Sequence, residues 1–405
     1  MQAQLPLWQL RGEFAVRLAA LYGAELPAYN TLVEVSKEVN SDFVKANGAD
    51  AERLGSIERV TAERHGAIRV GSPTELAQVA RIFAGFGMHA VGSTTCGMPP
   101  RAQSQSSQPR FAPSKLMSSP GTPFRVFTSM LVSNDPRFFD EATQDRLEAF
   151  ISQRQLFSPR LLELADLSTT QHGLAPMHAT EFLDLATAAF KLSDTPIDRQ
   201  WYRHLESISA VAADIGGVSS THINHLTPRM LDIDELYRRM EARGIVMIDE
   251  IQGPPRWDGP DVLLRQTSFK ALAEPRRFRE PDGSVVTGAL RVRFGEVEQR
   301  GIALTVAGRD LYDEMVAATD DRLAHSDATR AQVAQGVWRE YLPKTEHDLA
   351  QRGLGFFTYR VADPTTAPSG ERRSPSSSAS VRSSPSPSST RTSFLDRRLA
   401  SSSPT

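Results

Sequence analysis

The chain has 405 residues, 40% of them hydrophobic and 23% charged, with a formal net charge of −2 and a single cysteine. That length supports one large or two medium domains with a sizeable core. The near-neutral balance gives no electrostatic case for nucleic acid or an anionic membrane, and the lone Cys96 excludes an internal disulfide framework and suits a reducing cytoplasm. No run approaches the roughly 20 apolar residues of a membrane-spanning helix, and MQAQLPLWQLRGEF has neither the basic nor the apolar region of a signal peptide.

In chain order, residues 6–47 read as two helices, with Leu7, Leu10, Phe14, Leu18 and Leu21 at helical spacing and a second pattern after Pro27. The stretch at 57–70 ends in a strand-like piece carrying His65 and Arg69. Ser72-Pro73-Thr74-Glu75 is a capped helix start, and the helix is expected to run to about Phe86. Residues 93–123 have almost no apolar periodicity and read as loop or disorder. A buried strand is expected from Phe124, then helices at about 136–155, 159–166, 179–193 and 201–213. A strand-first unit begins at Ser219 with STHINHLTPR, followed by a helix at 232–243 and a strand near 245–249. Residues 262–271 and the stretch 285–304 supply two further strands, with Asp282-Gly283 as a hairpin signal between them. Helices at about 307–321 and 327–342 close a globular part near Arg360, and 361–405, rich in Ser and Pro, reads as a disordered tail.

The unusual element is Gly288–Gly301. Read as one strand, it puts Leu290, Val292, Phe294, Glu296, Glu298 and Arg300 on one face. Two carboxylates following an apolar run are costly unless paired or bound to a metal. His65, His222 and Glu296 all fall on predicted strands, and two imidazoles with one carboxylate make the facial triad of non-haem Fe(II) oxygenases. His225 is a rival to His222, but at strand spacing it faces the other way. The bland alternative is a solvated hairpin edge with Arg300 pairing the glutamates. Arg69, four residues after His65, shares its face and could clamp a carboxylate; a surface ion pair is the competing reading. Gln266 and Ser268 share a face and could offer hydrogen bonds to a ligand. His172 and His178 lie in a Gly/Pro-interrupted loop and read as structural, and the chain has no glycine-rich phosphate loop, CxxC pair or GxSxG elbow.

ERHGAIRVG (63–71), THINHLTPR (221–229), LLRQTSFKAL (263–272) and RFGEVEQRGIALT (293–305) together resemble the 2-oxoadipate dioxygenase/decarboxylase family, iron enzymes of bacterial and plant lysine breakdown. The resemblance covers roughly residues 5–92 and 124–360. It implies an α+β fold: vicinal-oxygen-chelate-like βαβββ modules forming a curved mixed sheet around a metal site, with added helices. It implies one catalytic domain over 1–360, Fe(II) on His65, His222 and Glu296, and Arg69 on a substrate carboxylate. Glu296-Val297-Glu298-Gln299-Arg300 also resembles the ligand strand of 4-hydroxyphenylpyruvate dioxygenase, whose first glutamate binds iron, and His222-Ile223 is similar to the His-Ile of that superfamily. The implied partners are a 2-oxo dicarboxylic acid and O2, and the implied products 2-hydroxyglutarate and carbon dioxide. The alternatives are another metal enzyme of the superfamily, such as an isomerase or extradiol-type dioxygenase, or an inactive relative.

Two stretches, 93–120 and about 361–405, do not resemble the family. Codons for STTCGMP, read one position earlier, can give phenylalanine-tyrosine-aspartate-leucine-arginine-aspartate-alanine, a continuation that does resemble it. LASSSPT at the end is compatible with a similar shift. A shifted reading frame is therefore expected in both stretches, against a genuine low-complexity insertion; the coding DNA decides between them.

Overall fold

The computed structural model describes residues 4–48, 60, 62–96, 106–113, 124–361 and 383–387. Its strands are β1 Leu5–Pro6, β2 Arg64–Val70, β3 Met88–Cys96, β4 Ser106–Pro113, β5 Phe124–Leu131, β6 Gly173–Leu174, β7 Ile197–Asp198, β8 His225–Met230, β9 Leu264–Phe269, β10 Glu274–Arg279, β11 Val285–Leu290, β12 Gly295–Arg300, β13 Phe357–Val361 and β14 Ser383–Pro387. Seven of them form one mixed sheet in the order β3-β4-β5-β2-β8-β12-β9.

That order resolves into two βαβββ modules. In the first, β2 leads into the helix Pro73–Ala84, then β3, β4 and β5, and β5 returns parallel to β2. Ser72 starts the helix by accepting from the Glu75 backbone N–H at 3.2 Å, with Pro73 in the first turn. In the second, β8 leads into the helix Ile233–Ala242, capped by Asp232, and β12 returns parallel to β8 with β9 antiparallel beyond it. Isolated bridges from Met247 and Gln252 to β9 supply the fourth strand position. The modules join where β2 pairs antiparallel with β8, His65 opposite Thr227.

Side-chain alternation gives the sheet two unlike faces. Ile68, Val70, Phe124, Val126, Leu226, Met230, Phe269 and Val297 point into the main core, under the helices Leu7–Glu25, Pro27–Asn47 and Pro176–Ala189. Phe14 stacks there on Phe86 with ring centroids 4.4 Å apart. The opposite face carries the polar and ionisable residues.

Close packing is tightest at Gly295. A Cβ there would run into the Phe269 ring, which sits directly across the β12–β9 ladder. Gly295→Ala should therefore cost about 1–3 kcal/mol, the range for forcing extra volume into a packed core, read as a lower denaturant midpoint.

The helices follow the sequence expectation apart from 201–213, which is two helices, Arg199–Ile208 and Ala210–Gly217, and from Glu346–Gln351, which it did not include. The strands depart from it at several points. The unit expected from Ser219 is extended only from His225, and residues 245–249 hold an isolated bridge at Met247 in place of a strand. Residues 93–123 are not wholly loop: β3 continues to Cys96 and β4 pairs with both β3 and β5; residues 97–105 and 114–123 lie outside the described residues. In the tail, β14 pairs with β13, and 362–382 and 388–405 lie outside them. The stretch Gly288–Gly301 is two strands, not one. Asp282-Gly283 does close a hairpin, but it joins β10 to β11 in a separate three-stranded sheet, and residues 291–294 lead across to β12. Leu290 and Val292 accordingly pack in a second core with Ile197 and Trp201, away from Glu296. Among the described residues no helix is long and apolar enough to cross a membrane.

Candidate metal centre

Three strands bring candidate metal ligands together on the polar face. His65 is the second residue of β2, His225 opens β8, and Glu296 is the second residue of β12. The register explains the meeting: Thr227 faces His65, and Glu298 faces Arg229, so the odd positions of β8 share a face with His65, Glu296 and Glu298. One ligand atom from each of His65, His225 and Glu296 lies within 4.8 Å of the other two, and all three residues are buried. His65 Nε2 is 3.4 Å and His225 Nδ1 3.8 Å from Glu296 Oε1. The two imidazoles stand perpendicular with centroids 5.6 Å apart.

The surrounding side chains hold this set in place. Gln266 Nε2 donates to Glu296 Oε1 at 2.7 Å, and the Thr227 hydroxyl donates to the same oxygen at 3.2 Å. The Thr227 Oγ1 also lies 2.8 Å from His225 Nδ1, so one hydroxyl bridges the imidazole and the carboxylate. Phe127 meets the His65 ring edge-on at 5.1 Å and Phe294 flanks His225 at 5.2 Å. Tyr22, from the first helix, places its hydroxyl 2.9 Å from the carbonyls of both Asn224 and Phe294, pinning the chain immediately before each of the last two ligand strands. Burial would lower the His65 pKa; the Glu298 and Glu296 carboxylates more than offset it and hold it raised.

The residues present fit a divalent metal. His65 Nε2 is buried without a hydrogen-bond partner, and it faces a carboxylate and a second imidazole, the donor set of a non-haem Fe(II) site. Left empty, such a nitrogen would cost free energy.

His222 does not join this set, contrary to the sequence expectation. Residues before His225 are not extended strand, so alternation counted from Ser219 does not carry through them. His222 instead lies 3.3 Å from Asp214, a fully buried residue of the helix Ala210–Gly217. Arg69 does share the face of His65, and its guanidinium is ion-paired to the same Asp214, with the Arg69 side chain 22% exposed. Asn224 Nδ2 also donates to Asp214, at 2.8 Å. Ser268 faces Glu296 across the ladder, on the ligand face. Gln266 is on that face too, with its amide nitrogen engaged by Glu296. Sequence reasoning missed Thr227, Tyr22 and Asp214. The x-Thr-x-Arg alternation after His225 was the available signal for Thr227; nothing local marks the other two.

Burial alone would raise the Asp214 pKa; His222 and Arg69 more than offset it and hold it lowered. Burial lowers the pKa of His222 itself. A depressed carboxylate stabilises the fold above its unfolded pKa, near 3.9, and loses that contribution as pH falls. The unfolding free energy of Asp214→Asn should therefore lag the parent most above about pH 4 and converge on it below, in urea titrations across pH.

The profile of the 2-oxoadipate dioxygenase/decarboxylase family matches residues 14–388. The chain belongs to that family. A protein of Mycobacterium tuberculosis named 2-oxoadipate dioxygenase/decarboxylase is 51% identical over 381 residues, covering 93% of this chain and 87% of its own. A Pseudomonas putida protein of the same name is 37% identical, over 86% of this chain and 75% of its own. Among solved structures, hydroxyglutarate synthase from Pseudomonas putida in complex with 2-oxoadipate superposes with a TM-score of 0.75 at 33% identity, covering 91% of this chain and 84% of that one. A glyoxalase-superfamily protein from Ralstonia eutropha superposes with a TM-score of 0.55 at 20% identity, over 73% of this chain and 84% of its own, which bears out the vicinal-oxygen-chelate-like fold. The two-module sheet is what the sequence resemblance implies, whereas the buried His-His-Glu set differs from the implied one in its second histidine, His225 in place of His222.

Proposed function

We propose that the chain is a non-haem Fe(II) dioxygenase that converts 2-oxoadipate and O2 into 2-hydroxyglutarate and carbon dioxide. The observation that carries this reading is the buried set of His65, His225 and Glu296 in a chain of this family. Bound there, Fe(II) would supply a template for the oxo acid and dioxygen and the redox chemistry between them. The overall change balances without a second cosubstrate: the bond between the carboxylate and keto carbons breaks, and both oxygen atoms of O2 enter the five-carbon product.

The protein's own groups bind, orient and shield. Gln266 and Thr227 fix the Glu296 oxygen they share, so the carboxylate has one orientation. Phe127 and Phe294 line the imidazoles and limit water there. Arg69, one guanidinium nitrogen anchored on Asp214, directs its remaining donors to a substrate carboxylate. That contact would set which carbon meets the oxidant, the positioning role that accounts for much of enzymatic rate. Ser268, opposite Glu296, would offer its hydroxyl to the substrate. Because His65 belongs to one module and His225 and Glu296 to the other, residues 1–360 act as a single catalytic unit. Fe(II) and the single cysteine suit a cytoplasmic setting.

The test is product identification. Fe(II)-loaded protein given 2-oxoadipate in air should yield 2-hydroxyglutarate and carbon dioxide by mass analysis; unchanged 2-oxoadipate from folded, iron-loaded protein would overturn the reading.

A further inference from the structure

Glu298 is buried at 1% exposure, two residues past the ligand Glu296 and on the same face of β12. Its two oxygens have different partners. Oε1 takes both Nε and a terminal nitrogen of Arg300, Nε at 2.6 Å. Oε2 makes no hydrogen bond within normal limits and lies 3.5 Å from His65 Nδ1. A carboxylate serving only as a counter-ion to Arg300 would present both oxygens to the guanidinium fork, the favoured bidentate geometry. Here one oxygen is turned away from the arginine and toward the imidazole. The arginine is held from behind by Glu63, to which Arg300 donates at 2.6 Å. The His65 ring is thus bracketed by two carboxylates, Glu296 at Nε2 and Glu298 at Nδ1.

We infer that Glu298 is the positioning carboxylate of the metal centre: its Oε2, 3.5 Å from His65 Nδ1, favours the proton on that nitrogen and so leaves the Nε2 lone pair for the metal. This rests on the metal reading above. A histidine ligand must be neutral, with its proton on the nitrogen that faces away from the ion. A carboxylate at that nitrogen fixes both tautomer and ring orientation, and losing such a partner commonly costs 10–100-fold in metal affinity. Arg300 and Glu63 in turn fix Glu298, so the chain of contacts from Glu63 to Nε2 is continuous and buried.

The test is Co(II) binding by chelator competition, with the visible spectrum of the bound Co(II) as a second readout. Glu298→Gln should weaken Co(II) about 10–100-fold and shift its absorption bands, because the amide can present Nδ1 with a donor as readily as an acceptor. Glu298→Asp keeps the charge opposite Arg300 but withdraws the oxygen from His65, and should weaken binding too; it decides the matter if the Gln variant fails to fold. Glu75→Gln removes a buried carboxylate paired with Arg154, outside the contacts of His65 and Glu298, and should keep parental affinity and spectrum. Parental Co(II) binding in the Glu298 variants, or an equal loss in Glu75→Gln, would overturn the inference. Undiminished Co(II) binding by His65→Ala and Glu296→Ala would instead overturn the metal site itself.

Discussion

His225→Ala should abolish stoichiometric metal binding and bring turnover of 2-oxoadipate to background, whereas His222→Ala should still bind the metal. His225 is one of three groups whose ligand atoms converge within 4.8 Å, so its loss should exceed the roughly 10–100-fold that removal of an outer-shell partner costs. His222 faces Asp214 at 3.3 Å and contributes no atom to that cluster. Its removal leaves Asp214 with Arg69 and Asn224, so the expected cost falls on stability and substrate affinity. Metal content of the two purified variants separates them. Retained metal in His225→Ala with loss in His222→Ala would exchange the two assignments.

The largest effect on stability is expected at Arg293. Its side chain is fully buried and donates to Glu274 through two nitrogens, Nε at 2.9 Å, and to Glu25 through the third. Glu25 ends the first helix and Glu274 opens β10, so this one guanidinium ties the helical layer to the chain that enters β12. It also lies over the Tyr22 ring at 5.5 Å, beside the hydroxyl that pins Asn224 and Phe294. Arg293→Ala leaves Glu25 and Glu274 without the guanidinium they share, Glu274 keeping only Arg276 at 3.6 Å, and breaking a buried pair from one side costs about 3–5 kcal/mol. The denaturant midpoint should fall accordingly at an unchanged slope. Adding Glu274→Gln to that variant should recover part of the loss, because it removes the orphaned charge; no recovery would mean that the cost is packing alone.

How much of this was legible in the sequence follows from which interactions are local. Helix starts were readable because Ser72 and Asp232 cap their own helices within three residues. His65, Arg69 and Glu296 were placed on the correct face because each lies within one uninterrupted strand, where period-2 alternation holds. His222 was grouped with His65 and Glu296, where the structure brings His225, for the same reason turned round: β8 begins at His225, and no parity extends back through residues 219–224. The single strand expected over Gly288–Gly301 failed at residues 291–294, where Arg293 is drawn inward by Glu25 and Glu274, partners 268 and 19 residues distant. No pattern within the strand reports such a pull. β4 was unreadable because its pairing with β3 and β5 uses backbone groups, which leave no mark in apolar periodicity.

Gas stoichiometry shows whether this site joins decarboxylation to oxygen use within one substrate. Anaerobically Fe(II)-loaded protein, supplied with 2-oxoadipate and no 2-oxoglutarate, should consume O2 and release carbon dioxide in equal amounts, and Glu296→Ala should do neither. Carbon dioxide released without oxygen uptake, or no uptake by folded, iron-loaded protein, would contradict it.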